Sequence, residues 1–316
     1  MKKQLLIAAV AATMGTAAIA DVSITGGMKV NYVNTEFGTG HDNSDTPLTT
    51  NAFNQDLDLT IQGKSGGTTV SMTVATTDTT NDGTALKVED TFLTTTIGDI
   101  AIKTGTWMTG DDMLAETSRN DGKFEASTTF SGVKVIFSDA ENANGSVKVK
   151  TTVSNVAVSA EQGPDFETYT VDTDIAGFGI AYKMRAKDAA DSDRSSIMLT
   201  KDFNGVGLTY ASAEADTGIA LEGDSWLGDY EGAGNATLNN GDDVSGFGAK
   251  MALAGNTVQV KSITVDATND IDFTKFYVTR KLAGGSTFEA IYTDKDVAGS
   301  TSSDSKELDL ELAVKF

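Results

Sequence analysis

Apolar residues recur at every second position along most of the chain, and the recurrence is interrupted by short clusters of Gly, Asn and Ser. Val22, Ile24, Met28, Val30 and Tyr32 share one parity; Ser23, Thr25, Lys29 and Asn31 share the other. Such alternation marks an extended strand with one apolar and one wet face. It returns in Phe53, Leu57, Leu59 and Ile61, in Val70, Met72 and Val74, and in Val147, Val149 and Val153. Ile197, Leu199 and Phe203 repeat it, as do Phe276, Val278 and Leu282. Leu308, Leu310, Leu312, Val314 and Phe316 carry it to the chain end. About eighteen strands are predicted, or sixteen if one hairpin is divided differently.

The connections follow a pattern of their own. Gly- and Asn-rich turns of two to five residues alternate with longer polar loops. Sorting of loop length onto two rims suits a closed antiparallel up-and-down barrel whose rims meet different environments. Strands of about nine to eleven residues also suit a bilayer crossed at a tilt. The prediction is an all-β fold: one closed antiparallel transmembrane β-barrel over residues 21–316, with short periplasmic turns and longer extracellular loops.

One hairpin organises the expectation for the interior. Leu86 to Ile97 and Ile100 to Gly105 read as strands around Gly98-Asp99. Thr106 to Asp121 is predicted as a polar loop bearing Asp111, Asp112 and Glu116, with Trp107, Met108, Met113 and Leu114 as apolar anchors. A loop this long inside a sheet protein is usually functional, and it is expected to fold into the lumen. The longest connection, Glu214 to Asp243, carries Trp226, Tyr230, Asp224, Asp229, Glu231, Asp242 and Asp243. It is expected to be a solvated outer loop, with calcium on the acidic loops as the other reading.

The first twenty residues change the address. Lys2 and Lys3 precede the apolar run Leu5 to Ala12, and Ala18-Ile19-Ala20 precedes Asp21. This is the layout of a cleaved secretory signal peptide. The net charge of −21 sets nucleic acid aside as a partner. With no Cys, thiolate catalysis and Cys-ligated metals are excluded. The lone His41 sits among Gly40, Asp42 and Asn43, without partners for Ser-His or zinc chemistry, so an enzyme is not expected.

If the apolar parity faces lipid, the other parity brings inward Lys29, Asp56, Asp58, Glu89, Lys103, Glu125, Lys148, Lys150, Lys183, Arg185, Arg194, Lys250, Lys261 and Lys275, with Glu307, Asp309 and Glu311. Lys or Arg on the lipid face would cost about 2–4 kcal/mol near the midplane, and so many charges cannot pack dry. The lumen is therefore predicted to hold water. Its predicted constriction sets Asp111, Asp112 and Glu116 against Lys103, Lys148, Lys150, Lys183, Arg185 and Arg194, in a weakly cation-leaning pore for small hydrophilic solutes and ions.

The signal peptide, the run EDTFLTTTIGDIAIKTG before a long third loop, and the terminal ELDLELAVKF together resemble the Gram-negative general (trimeric) porin family, most of all its alphaproteobacterial branch. Phe92, Leu93, Gly98, Ile100 and Ile102 fit the family hairpin; Ile97 and Lys103-Thr104 depart from it. The resemblance implies a sixteen-stranded barrel, a homotrimer in outer-membrane lipid, and Phe316 as the mark read by the outer-membrane assembly machinery. Two rival readings remain. An exported adhesin or array-forming protein would need a dry core. A substrate-specific channel would need aromatic residues along the lumen, whereas the aromatic residues are 7% of the chain and fall mostly on the apolar face.

Overall fold

The computed structural model describes residues 21–38, 48–77, 85–109, 118–141, 143–187, 193–215, 219–220, 226–227, 237–238, 243–266, 270–299 and 304–316. Its strands are β1 (Asp21–Phe37), β2 (Leu48–Ser65), β3 (Thr68–Thr77), β4 (Ala85–Ile97), β5 (Ile100–Thr109), β6 (Ser118–Phe130), β7 (Val133–Ala140), β8 (Ala143–Val153), β9 (Val156–Gln162) and β10 (Phe166–Ile175). They continue as β11 (Phe178–Lys187), β12 (Arg194–Phe203), β13 (Val206–Ala215), β14 (Ile219–Ala220), β15 (Thr237–Leu238), β16 (Asp243–Leu253), β17 (Asn256–Asp266), β18 (Ile271–Lys281), β19 (Ser286–Val297) and β20 (Ser305–Lys315).

Eighteen of these form one antiparallel sheet, each pairing with its neighbour in the chain, while β14 and β15 pair only with each other. The sheet closes because β1 pairs with β2 on one side and β20 on the other. Closure reaches the last residue: the Phe316 and Gly26 amides each donate to the other's carbonyl at 2.9 Å. Closing removes the exposed edges that an open sheet would present. The eighteen strands depart from the sixteen that the family resemblance implied.

The short rim is built from turns such as Ser131-Gly132 and Asn204-Gly205, whose residues all have positive φ. Backbone of this hand matches the right-handed twist of the flanking strands. Another such turn lies at Ala254-Gly255, and Asn256 already belongs to β17.

Several boundaries differ from expectation. β2 runs for 18 residues and β1 for 17, longer than the roughly nine to eleven expected of a strand. Thr106 to Thr109 and Ser118 to Asp121 are strand rather than loop. A bulge between Gly105 and Trp107 lets β5 and β6 pair onward, with Trp107 opposite Asn120. Asp111, Asp112 and Glu116, and with them the inward fold of the third loop, lie outside the described residues, as does His41. The loop sorting is also incomplete. On the long-loop rim β9 and β10 are joined by Gly163 to Asp165 alone, and β7 and β8 by a link of similar length.

The two faces differ as parity predicts. On the convex side Phe130 is 79% exposed, Phe247 66% and Phe203 64%. On the concave side Arg194, Lys261 and Lys275 are buried. Among the described residues no helix is long and apolar enough to cross a membrane.

Candidate functional site

The interior is the site, and its charges are sorted by strand. In a ring of eighteen, strands nine apart lie on opposite walls. One wall is formed by β19, β20, β1, β2 and β4. It carries Glu289, Glu307, Asp309, Glu311, Asp56 and Asp58, with Glu89 and Asp90 at a bulge in β4. On this wall Lys29 pairs with Glu311 at 3.0 Å, and the Thr35 hydroxyl donates to Glu307 at 2.9 Å. The facing wall, β7 to β12, carries Lys134, Lys148, Lys150, Lys183, Arg185 and Arg194. There Glu161 is held by Lys148 at 3.1 Å and by the Ser146 hydroxyl at 2.8 Å. The first wall is richer in carboxylates and the facing wall richer in cations, although each also carries opposite charges, among them Lys29, Lys64 and Lys315 on the first and Glu161, Asp172 and Asp202 on the second.

Like charges stand side by side on the basic wall. Lys134 is directly opposite Lys150, and Arg185 is opposite Arg194. Such pairs destabilise a sheet unless water or an anion screens them, which suits a hydrated interior. The six cations expected at the constriction, Lys103 included, all fall on the inward parity. Lys103 lies apart, on β5. The three acids expected to face them are outside the described residues.

Most aromatic residues fall on the outer face, as expected, but several line the interior. The Lys103 ammonium is 4.1 Å from the Phe92 ring centroid and 4.4 Å from that of Trp107. The Lys123 ammonium lies 5.4 Å from the Trp107 ring and donates to the Trp107 carbonyl at 2.9 Å. Across the barrel, Arg185 stacks 4.3 Å over Phe166, and Lys261 lies 5.2 Å from Trp226 and 5.5 Å from Tyr277. Each ring face attracts a cation by its quadrupole, worth about 0.5–2 kcal/mol with burial. The result is a set of aromatic–cation contacts on the inner wall, in which Trp107, Lys123, Lys261 and Tyr277 are buried.

Part of the interior is dry, also against expectation. Ala211, Ala213, Val244, Ile263, Val265 and Phe273 form an apolar patch on the inner faces of β13, β16, β17 and β18, with Leu227 fully buried on it. Leu227 and Trp226 belong to the connection expected to be a solvated outer loop. Trp226 packs where the wall has no side chains: a Cβ on Gly246 or Gly248 would come within 3.0 or 2.9 Å of its indole. One sequence signal pointed here. In β17 the apolar parity switches from Val258 and Val260 to Ile263 and Val265.

Among the described residues no group of three or more His, Asp or Glu side chains is disposed to hold a metal ion. The acidic loop residues Asp224, Asp229, Glu231 and Asp242 lie outside them.

No protein-family model matches the chain, and no curated protein sequence does. Solved structures do. OpdL of Pseudomonas aeruginosa superposes with a TM-score of 0.68 at 9% identity, over 94% of this chain and 99% of that one. A BenF-like porin from Pseudomonas fluorescens Pf-5 gives 0.65 at 9% identity, over 94% and 98%. OccAB4 of Acinetobacter baumannii gives 0.64 at 12% identity, over 94% and 98%. At such identities the likeness is one of fold: an eighteen-stranded closed barrel, matched along nearly its whole length.

Proposed function

We propose that this chain is a passive channel of the outer membrane, admitting small hydrophilic solutes and ions through a water-filled lumen. The observation that carries the reading is the division of the wall: exposed Phe, Val, Leu and Ile side chains outside, and opposed carboxylate-rich and cation-rich sectors inside. A convex surface so apolar over its whole circumference is what a bilayer solvates and water does not. The adhesin reading needs a dry core throughout, and the charged walls oppose it. Similarity of fold to a protein named as a porin supports the channel.

The leader-like first twenty residues and Phe316 in the closing ladder suit export and outer-membrane assembly. Assembly as a homotrimer comes from the family resemblance and belongs to this reading. The cation leaning expected from the net charge finds no support on the described inner wall, one side of which carries Lys134, Lys148, Lys150, Lys183, Arg185 and Arg194. A selective channel, the second reading, is favoured by the aromatic–cation contact at Lys103. Reconstitution into planar bilayers tests the proposal: discrete, ohmic salt-conductance steps are expected, and a purified folded protein that leaves bilayers silent overturns it.

A further inference from the structure

Low on the inner wall, beside the short turns that follow β2, β4 and β6, is a cavity of about 260 Å³. Its lining includes Thr94, Thr96, Lys103, Glu125, Ser127 and Lys134. The volume is below the usual ~300–1,000 Å³ of drug-sized ligand sites, so the occupant is small. The register shows why its charges are available. Lys103 stands directly opposite Glu125 across β5 and β6. Among the described residues no ion pair joins them, because the Lys103 ammonium lies over the Phe92 and Trp107 rings instead. Glu125 is thus left facing the cavity.

Lys134 supplies the opposite charge. Glu125 pairs with Ser138, and Thr129 with Lys134, so the two charged residues are offset by four positions along adjacent strands. That is about 13 Å between their Cα atoms at ~3.3 Å per residue. The Glu and Lys side chains each cross part of the distance, leaving a gap that a small solute spans. The Ser127 hydroxyl lies between them on the same face, and Thr94 and Thr96 line the cavity from β4, on the far side of β5. Lys134 has Lys150 as its cross-strand partner, not an acid. An anion alone would meet Glu125; a cation alone would meet two lysines. A solute carrying both charges satisfies both ends.

We propose that this cavity is a subsite for small zwitterionic solutes of the α-amino-acid type, with the ammonium toward Glu125 and the carboxylate toward Lys134. The inference rests on the channel reading and deepens it by naming the solute class. Its test uses single channels of the full chain in planar bilayers, with L-serine as probe and glycerol as the uncharged control. L-serine is expected to interrupt the salt current of the unaltered protein, glycerol to leave it steady. Glu125→Gln and Lys134→Gln, which keep shape and remove charge, are each expected to weaken the serine effect by roughly tenfold, the size of one charge-assisted contact. Acetate is expected to respond to Lys134→Gln but to bind better, not worse, in Glu125→Gln. Serine effects unchanged in either variant, or glycerol acting like serine, overturn the subsite while the salt current itself still upholds the channel. A folded protein without salt current overturns the channel reading instead.

Discussion

Arg185 and Arg194 face each other directly across the β11–β12 ladder, on the inner wall and next to Lys183. Like charges directly opposite one another disfavour a sheet by up to about 1 kcal/mol unless other partners offset them. On the channel reading the two guanidiniums contribute to the field across the lumen, opposite the carboxylates of β20, β1 and β2.

The field gives the first prediction. A single charge acting on an ion ~8 Å away through water contributes about 0.5 kcal/mol before screening, or roughly a twofold change in ion preference. Arg185→Gln combined with Arg194→Gln is expected to move the reversal potential in a salt gradient toward cations, several-fold in permeability ratio. Raising the salt concentration is expected to shrink the shift. An unchanged reversal potential would remove the two arginines from the ion path.

The second concerns Trp226. The chain has 2 Trp, so a Trp107→Phe background isolates the indole of Trp226. Gly248→Ala places a methyl within 2.9 Å of that indole and is expected to displace it. The emission should shift to the red, and iodide should quench it more readily. Leu227→Ala at a fully buried site is expected to loosen the same anchor by about 2–5 kcal/mol and to raise the channel's conductance.

The third tests the β5 bulge. Gly105 has φ +131°, and a Cβ there would lie 2.1 Å from the Thr91 carbonyl oxygen and 2.7 Å from the Phe92 Cα. Neither neighbour is the end of a flexible side chain. Gly105→Ala is expected to cost more than the ~1–3 kcal/mol of an ordinary strained residue, read as a lower urea midpoint. Gly132→Ala also has positive φ but meets nothing within 4 Å, and should cost distinctly less.

The fourth separates the faces by one residue. Val149→Arg puts a guanidinium on the outer wall and is expected to cost about 2–4 kcal/mol if it lies near the bilayer midplane. Lys150→Arg keeps an inward charge and should stay within ~0.5 kcal/mol. Folding equilibria in lipid measure both.

Most of the barrel was legible because a strand with one oily and one wet face prints a period of two. Strand parity and the hairpin turns needed only that rule, and even Phe316 fell on the predicted face. The rule fails where both faces are apolar or where a strand bulges. Phe273 and Tyr277 are apolar residues on the inner parity, and alternation alone cannot tell a dry patch inside from lipid outside. Trp107 lay beyond a bulge, so it looked like a loop anchor and proved to be a platform for Lys103. The inward packing of Trp226 depends on Gly246 and Gly248, far along the chain, and local pattern carries no trace of that contact.

Adjacent residues of β11 offer the most direct measurement. Tyr182 belongs to the outward parity and Lys183 to the inward one. In this Cys-free chain, Tyr182→Cys and Lys183→Cys each create a unique thiol for a charged, water-soluble methanethiosulfonate applied to a single open channel. Modification at Lys183→Cys is expected to step the current, and Tyr182→Cys to leave it unchanged. A step at Tyr182→Cys with silence at Lys183→Cys would contradict the wet interior on which the account rests.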